Sequence, residues 1–245
     1  MDELWVCNLA VVPYLEALAL QQRVRAARQR DAVPDVMLML EHPPVYTRGR
    51  RSGADELPLG EDWYRTRGIE IVDVERGGKI TYHGPGQLVG YPIVAIDDVA
   101  GYVHTLERAL VEVLAQEGVH AHARPHDGPA YTGVWVADRK IASIGVHVAR
   151  GVTTHGWALN VDADLEPFSW VVACGLPGVG MTSLARELGP GGEGRIPCVR
   201  KRAGFEVARA LGRRQRLISR ARLEAAIGVA QDRAAERARI AAVPV

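Results

Sequence analysis

The sequence predicts an α/β fold of the α+β type, a mixed β-sheet packed with helices. Strand-like runs come in adjacent pairs joined by short turns as well as between helices, a pattern foreign to a doubly wound parallel sheet. One long segment carries an apolar stripe at helical spacing. The composition, 47% apolar and 24% charged over 245 residues, is that of a globular chain able to bury a large core.

In order, Leu4-Trp5-Val6 reads as a short strand and residues 13–30 as a helix with Pro13 near its first turn. Residues 36–40 are an apolar run of strand length, halted by Glu41-His42-Pro43-Pro44. Residues 69–74 form another strand, broken by Gly77-Gly78; residues 79–82 and 87–94 then flank the loop Gly84-Pro85-Gly86. Residues 99–117 form the clearest helix. Val99, Tyr102, Val103, Leu106, Leu110, Val113 and Leu114 share one stripe, Asp98 is the expected N-cap and Gly118 the expected stop. Strands follow near 133–137, 141–149 and 152–161, turning at Asp138-Arg139 and Arg150-Gly151. From about Arg200 the composition is helical. The loop at 189–194, rich in glycine, is expected to separate a core domain, 1–199, from an Arg-rich helical extension, 200–245, packed on it or trailing it.

Composition excludes several classes. No apolar run approaches the roughly 18 residues that span a bilayer, and the acidic start Met1-Asp2-Glu3 is not a signal peptide. Cys7, Cys174 and Cys198 are odd in number and far apart, which argues against a disulfide framework or a zinc site and for a reducing, cytoplasmic location. The net charge of +1 divides into −7 for residues 1–199 and +8 for 200–245. That basic stretch can attract an acidic partner. With Phe205 its only aromatic residue, it is a poor nucleic-acid surface, and no nucleic acid or membrane partner is expected. Of the 30 basic residues only Lys79, Lys140 and Lys201 are lysines. Arginine does not give up its proton near neutral pH and lysine does, so the three lysines draw attention.

Four segments carry groups suited to chemistry. The run from Arg76 to Gln87 places Gly77, Gly78, Gly84 and Gly86 among Arg76, Lys79, Ile80, Thr81, Tyr82 and His83. Glycines admit a ligand close to the backbone, and the run reads as a binding wall; it matches neither the P-loop nor the dinucleotide spacing. A glycine-rich hairpin explains the same letters, and His83 is either a proton carrier or an oriented loop histidine. Cys174 ends a strand-like run and enters Cys174-Gly175-Leu176-Pro177-Gly178, a loop able to offer N–H groups beside a nucleophilic sulfur. A buried, inert cysteine is the alternative there, and the reading preferred for Cys7 and Cys198. Lys140 begins a strand through Ser143, Ile144 and Gly145. Alternation puts it on the apolar face of Ala142, Ile144 and Val146, where desolvation favours the neutral amine; a solvated turn lysine is the alternative. Gly156 and Ala158 keep one strand face shallow beside Trp157, as an acyl chain requires, though core packing explains them equally.

Together these segments resemble the octanoyltransferases, also called lipoate–protein ligase B. The resemblance rests on Arg76-Gly-Gly-Lys-Ile-Thr-Tyr-His-Gly-Pro-Gly-Gln87, Tyr91-Pro92-Ile93, residues 41–47, Lys140 to Val146, His155 to Asn160 and Cys174 to Gly178, over roughly residues 1–190. It implies the catalytic-domain fold of biotin and lipoate protein ligases. It implies transfer of an octanoyl group from octanoyl-acyl carrier protein to a lysine of lipoyl-bearing proteins, the first step of protein lipoylation. The acceptors would be lipoyl domains of 2-oxoacid dehydrogenase complexes and the glycine cleavage H protein. It further implies Cys174 as nucleophile and Lys140 as the group that tunes it. The substrate wall would be Arg76, Gly77, Gly78, Lys79, Ile80, Thr81, Tyr82 and His83, with Ser143, Ile144, Gly145, Gly156, Trp157 and Ala158. No cofactor and no metal is implied, since a thioester donor needs no nucleotide activation. Two competing readings remain, an ATP-dependent lipoate or biotin ligase on the same fold and a non-catalytic acyl-binding protein.

Overall fold

Alternation sorts the strands' side chains onto two faces, and the architecture follows from what covers each. The computed structural model describes residues 2–172, 176 and 178–228. Strand β1 (Glu3–Val11) leads into helix α1 (Tyr14–Arg28), β2 (Asp35–Glu41), β3 (Val45–Arg48), α2 (Glu61–Arg65), β4 (Glu70–Asp73), β5 (Thr81–His83) and β6 (Gln87–Ile93). Then come α3 (Val99–Gln116), β7 (His122–Ala123), β8 (Gly133–Val136), β9 (Arg139–Ala149), β10 (Val152–Asn160), α4 (Glu166–Ser169), α5 (Leu184–Leu188), α6 (Ile196–Ala210) and β11 (Arg214–Ile218).

Eight strands form one mixed sheet in the order β11-β1-β2-β6-β10-β9-β8-β7. β1 pairs in parallel with β2 and β11, and the other neighbours are antiparallel. The expected mixed sheet is therefore present. The strand near 79–82 leaves it, however: β5 joins β3 and β4 in a separate three-stranded sheet. In β2, Met37 and Met39 enter one core beneath α3 and α6, while Val36, Leu38 and Leu40 enter a second beneath α1. Burial on both faces explains why residues 36–40 read as an unbroken apolar run. A third, aromatic core under the small sheet holds Tyr46, Tyr64, Tyr82 and Phe168.

α3 ends as its sequence requires. Gly118 takes φ +85°, its N–H reaches the Ala115 carbonyl at 3.0 Å, and the Val119 N–H reaches that of Leu114 at 2.9 Å. This double closure needs a left-handed residue, which glycine adopts without strain. The expected cap at the other end is absent, since the Asp98 side chain accepts no bond from the first turn. Arg150 (φ +48°) and Gly151 (φ +73°) make the tight β9–β10 turn. The helix expected from Arg200 begins at Ile196 and crosses position 199. Its Val199, Ala203 and Val207 share the core with α3, and β11 extends the main sheet beside β1. No helix among the described residues is long and apolar enough to cross a membrane.

Candidate active site

A cavity of about 820 Å³, its open mouth included, lies where the small sheet meets β9 and β10, within the size range of small-molecule sites. Of the expected wall, Arg76, Gly77, Gly78, Lys79, Thr81, His83, Ser143, Ile144, Gly145, Gly156, Trp157 and Ala158 line it, as does Lys140. Ile80 and Tyr82 do not. They belong to the aromatic core, because alternation along β5 sends Thr81 and His83 to the cavity and their neighbours to the opposite side.

The glycine-rich run is held by its own first residue. Arg76 is buried, and its guanidinium donates to the Thr47 carbonyl and hydroxyl, both at 2.7 Å, and to the Lys79 carbonyl at 2.8 Å. The Gly77 N–H donates to the Val146 carbonyl at 3.0 Å, docking the run on β9. A Cβ on Gly145 would stand 3.0 Å from the Gly77 carbonyl oxygen. The close approach expected of these glycines is thus realised between backbone segments. Lys79 pairs with the buried Glu56 at 3.1 Å, and that carboxylate also accepts the Ile80 N–H at 3.0 Å.

Lys140 is buried, only 2% exposed, so the solvated-turn alternative fails. The face it takes is not the one simple alternation gives. Trp135 pairs with Lys140 and Val134 with Ala142, leaving Ile141 as an extra residue in β9. That bulge reverses the alternation, so Lys140 lines the cavity with Ser143 and Gly145 while Ala142 and Val146 pack into the first core. Its Nζ lies 5.2 Å from the centre of the Trp135 ring. Gly133 makes the room: at φ +136°, a Cβ there would sit 2.7 Å from Lys140 Cε.

The cavity floor is a cluster of buried aromatic and imidazole rings. Tyr14, His83, Tyr91 and His155 line it, and His42 packs behind them, its ring centre 5.6 Å from that of His83. Burial pushes His42 down to about 4. Burial, then the charges of Arg76, His147 and Arg25, push His155 down to about 3. Burial, then His42, hold His83 well below the ordinary histidine value. All three rings are neutral near pH 7. Hydrogen bonds fix two tautomers. Asn160 Nδ2 donates to the Thr182 carbonyl at 3.0 Å, so its Oδ1 accepts from Gln87 Nε2 at 2.9 Å. Gln87 Oε1 therefore accepts from His83 Nδ1–H at 2.7 Å, and the His83 Nε2 lone pair faces Thr47 Oγ1 at 3.5 Å. His42 Nδ1 donates to the Val12 carbonyl at 2.6 Å, leaving Nε2 to accept the Tyr91 hydroxyl at 2.7 Å. His83 is thereby an oriented neutral ring and not a charged acid. His155 takes φ +59°, a strained setting for a non-glycine residue in mid-strand. Such a floor offers neutral surface to an apolar chain and no charge to a carboxylate.

Cys174 lies outside the described residues. The described segments on either side of it are hydrogen-bonded to Glu56, the partner of the lining Lys79, and to the lining Lys140. The Val172 N–H donates to the carbonyl of Glu56, which also holds Lys79. On the other side, the Lys140 N–H donates to the Gly180 carbonyl at 2.9 Å, and the Thr182 N–H donates to the Lys140 carbonyl at 3.0 Å. Of the other cysteines, Cys7 is buried, with burial pushing its thiol up to about 11, and Cys198 is exposed.

Tyr14, Arg51, Pro129, Ala130 and Thr132 line the cavity without having stood out in the sequence, and Tyr91, noted only as part of a motif, lines it too. Tyr14 belongs to a helix whose buried aliphatic residues are core, and its hydroxyl meets His155 Nδ1 at 3.3 Å across 141 positions. Nothing local marks such a pair.

A family profile described as the lipoyl protein ligase A/B catalytic domain matches residues 13–197. An octanoyltransferase from Caldicellulosiruptor bescii is 44% identical over 75% of this chain and 82% of that protein. One from Acidothermus cellulolyticus is 48% identical over 73% and 80%. Among solved structures, a putative lipoate protein ligase from T. acidophilum superposes with a TM-score of 0.74 over 95% of this chain and 94% of that one, at 18% identity.

Proposed function

The chain belongs to the octanoyltransferases of the lipoyl protein ligase A/B catalytic-domain family, and from that premise we propose a ping-pong transfer of an octanoyl group through a thioester on Cys174. The donor is octanoyl-acyl carrier protein. The acceptors are lysines of lipoyl domains, those of 2-oxoacid dehydrogenase complexes and of the glycine cleavage H protein, and the reaction runs in the cytoplasm.

In the first half-reaction the Cys174 thiolate attacks the donor thioester carbonyl. The carbon–sulfur bond to Cys174 forms, the bond to the donor sulfur breaks, and the Lys140 ammonium gives its proton to the departing thiolate. In the second, Lys140, now neutral, takes a proton from the acceptor amine as nitrogen replaces sulfur at the acyl carbon. Both enzyme groups return to their starting states. Thioester-to-thioester exchange is nearly isoenergetic and amide formation runs downhill, so no nucleotide is consumed. The octanoyl chain lies along Gly145, Gly156 and Ala158 over the neutral floor, and burying its methylenes contributes about 0.8 kcal/mol each.

One observation supports this reading: the described segments flanking Cys174 are hydrogen-bonded close to the cavity, one to the backbone of Lys140, which lines it, and the other to Glu56, the ion-pair partner of the lining Lys79. Intact mass after mixing with octanoyl-acyl carrier protein tests it. The expected result is one octanoyl adduct on Cys174, discharged by a lipoyl domain without ATP. Transfer with no adduct in wild-type protein overturns the covalent route. ATP-dependent transfer by Cys174→Ser establishes the adenylating alternative. Lys140→Arg keeps the charge and loses proton exchange; wild-type rates in that variant overturn the acid–base role.

A further inference from the structure

Carboxylates are expensive to bury, and several of those buried in this chain hold cations: Asp35 holds Arg28 and Arg213, Glu117 holds Arg195 and Arg202, and Glu56 holds Lys79. Glu107 differs. It lies in the buried face of α3, only 2% exposed, and pairs with no arginine or lysine among the described residues. Its carboxylate spans two other groups. One oxygen accepts the Gly133 N–H at 2.9 Å, and the other lies 2.9 Å from Nδ1 of the exposed His104, one turn earlier on the same helix.

Gly133 opens β8 opposite Ser143, and its φ of +136° is one that residues with a Cβ rarely adopt. Glycine itself tolerates many backbone angles, so this one is selected from outside, and the bond to Glu107 is the contact that reaches Gly133 from α3. The same backbone is a wall for Lys140, since a Cβ on Gly133 would stand 2.7 Å from Lys140 Cε. Trp135 is the second support. Its Nε1 donates to the Tyr131 carbonyl at 2.9 Å, and the Lys140 Nζ sits over its ring. A lysine side chain is a flexible stem, and these two contacts choose among its rotamers.

We propose that Glu107 is a positioning residue for Lys140: by pinning the Gly133 N–H it fixes the backbone against which the end of the lysine rests, and so holds the amine where it gives and takes a proton. The inference rests on the proton-exchange reading of Lys140 above. Without the Glu107 acceptor the Gly133 N–H is left unpaired beneath α3, the permissive glycine turns to find another partner, and the lysine loses one of its two supports. A displacement of about 1 Å at a reacting group costs on the order of a hundredfold in rate, so turnover registers it.

Two variants test it together: Glu107→Met, close to the native size but with no acceptor, and Glu107→Gln, which keeps a carbonyl oxygen for the Gly133 N–H. In Glu107→Met the kcat for octanoyl transfer should fall about tenfold to a hundredfold with the KM for donor and acceptor little changed, and Glu107→Gln should recover to within about threefold of wild type. The scarcity of lysine supplies a second readout. Carbon-13 at lysine Cε gives one signal each from Lys79, Lys140 and Lys201, and the signal lost in Lys140→Arg is that of Lys140. Its attached protons, close to the face of the Trp135 ring, should resonate upfield in wild type and Glu107→Gln and return to the ordinary lysine position in Glu107→Met. In wild type the Gly133 amide proton should exchange slowly with solvent, a reading that stands even where a variant fails to fold. Equal losses of kcat in both variants, an unchanged kcat or an unmoved Lys140 signal in Glu107→Met, or rapid exchange at Gly133 overturns the positioning role. Wild-type rates in Lys140→Arg overturn the proton-exchange reading itself, a result read from a different protein.

Discussion

Acidifying the protein from pH 7 to pH 5 should remove a large part of its stability, and His42 and His155 should be the cause. Burial holds them at about 4 and about 3, against an ordinary value of 6.5. A histidine whose folded value is depressed stabilises the fold above its unfolded value, and that stability is lost as pH falls toward the folded value. At pH 5 an unfolded imidazole at 6.5 is almost fully protonated and the folded one almost fully neutral. The unfolded state gains a factor of roughly thirty per histidine, or about 2 kcal/mol each, nearly all of it absent at pH 7. The two together amount to about 4 kcal/mol, a large share of an ordinary domain's 5–15 kcal/mol. Urea unfolding of wild type, His42→Gln and His155→Asn at both pH values measures it. Each variant costs stability at pH 7, yet each should lose about 2 kcal/mol less than wild type on acidification. Asparagine suits position 155 because it tolerates the left-handed backbone there. Equal pH dependence in all three proteins would refute the neutral-histidine floor.

Other consequences follow from single contacts. Gly156→Ala places a Cβ 2.3 Å from the Gly90 carbonyl oxygen and 2.6 Å from Pro92 Cδ between two central strands. It should cost about 1–3 kcal/mol by thermal unfolding and slow octanoyl transfer. Gly133→Ala drives a Cβ to 2.3 Å from the Ala142 carbonyl oxygen and 2.7 Å from Lys140 Cε, so transfer should fall with it even at temperatures where the variant remains folded. Glu117→Gln weakens a fully buried carboxylate's bonds to Arg195 and Arg202, and urea unfolding should register a loss of about 1–3 kcal/mol. With its thiol at about 11, Cys7 should stay unalkylated at pH 8 until urea unfolds the chain, by peptide mapping, while exposed Cys198 reacts at once.

Much of the cavity wall was legible because its determinants are local. Gly77 and Gly78 announce close backbone approach, and Gly156 and Ala158 announce a shallow face; each lines the cavity. Ile80 and Tyr82 pack into the aromatic core and not the cavity lining, because a strand divides a contiguous run between two faces. The stripe of residues 99–117 and the stop at Gly118 likewise needed only helical spacing and a left-handed glycine.

The sequence alone determined the fold class, the family, the segments that approach a ligand and the scarcity of lysine that drew attention to Lys140. Tertiary structure decided the rest. A one-residue bulge at Ile141 turned Lys140 from the core face to the cavity, and pairing register between separate strands is not a property of either strand. The floor joins Tyr14, His42, Tyr91 and His155 from one helix, one loop and two strands. Their neutrality arises from mutual burial, a property no residue possesses until the chain has folded.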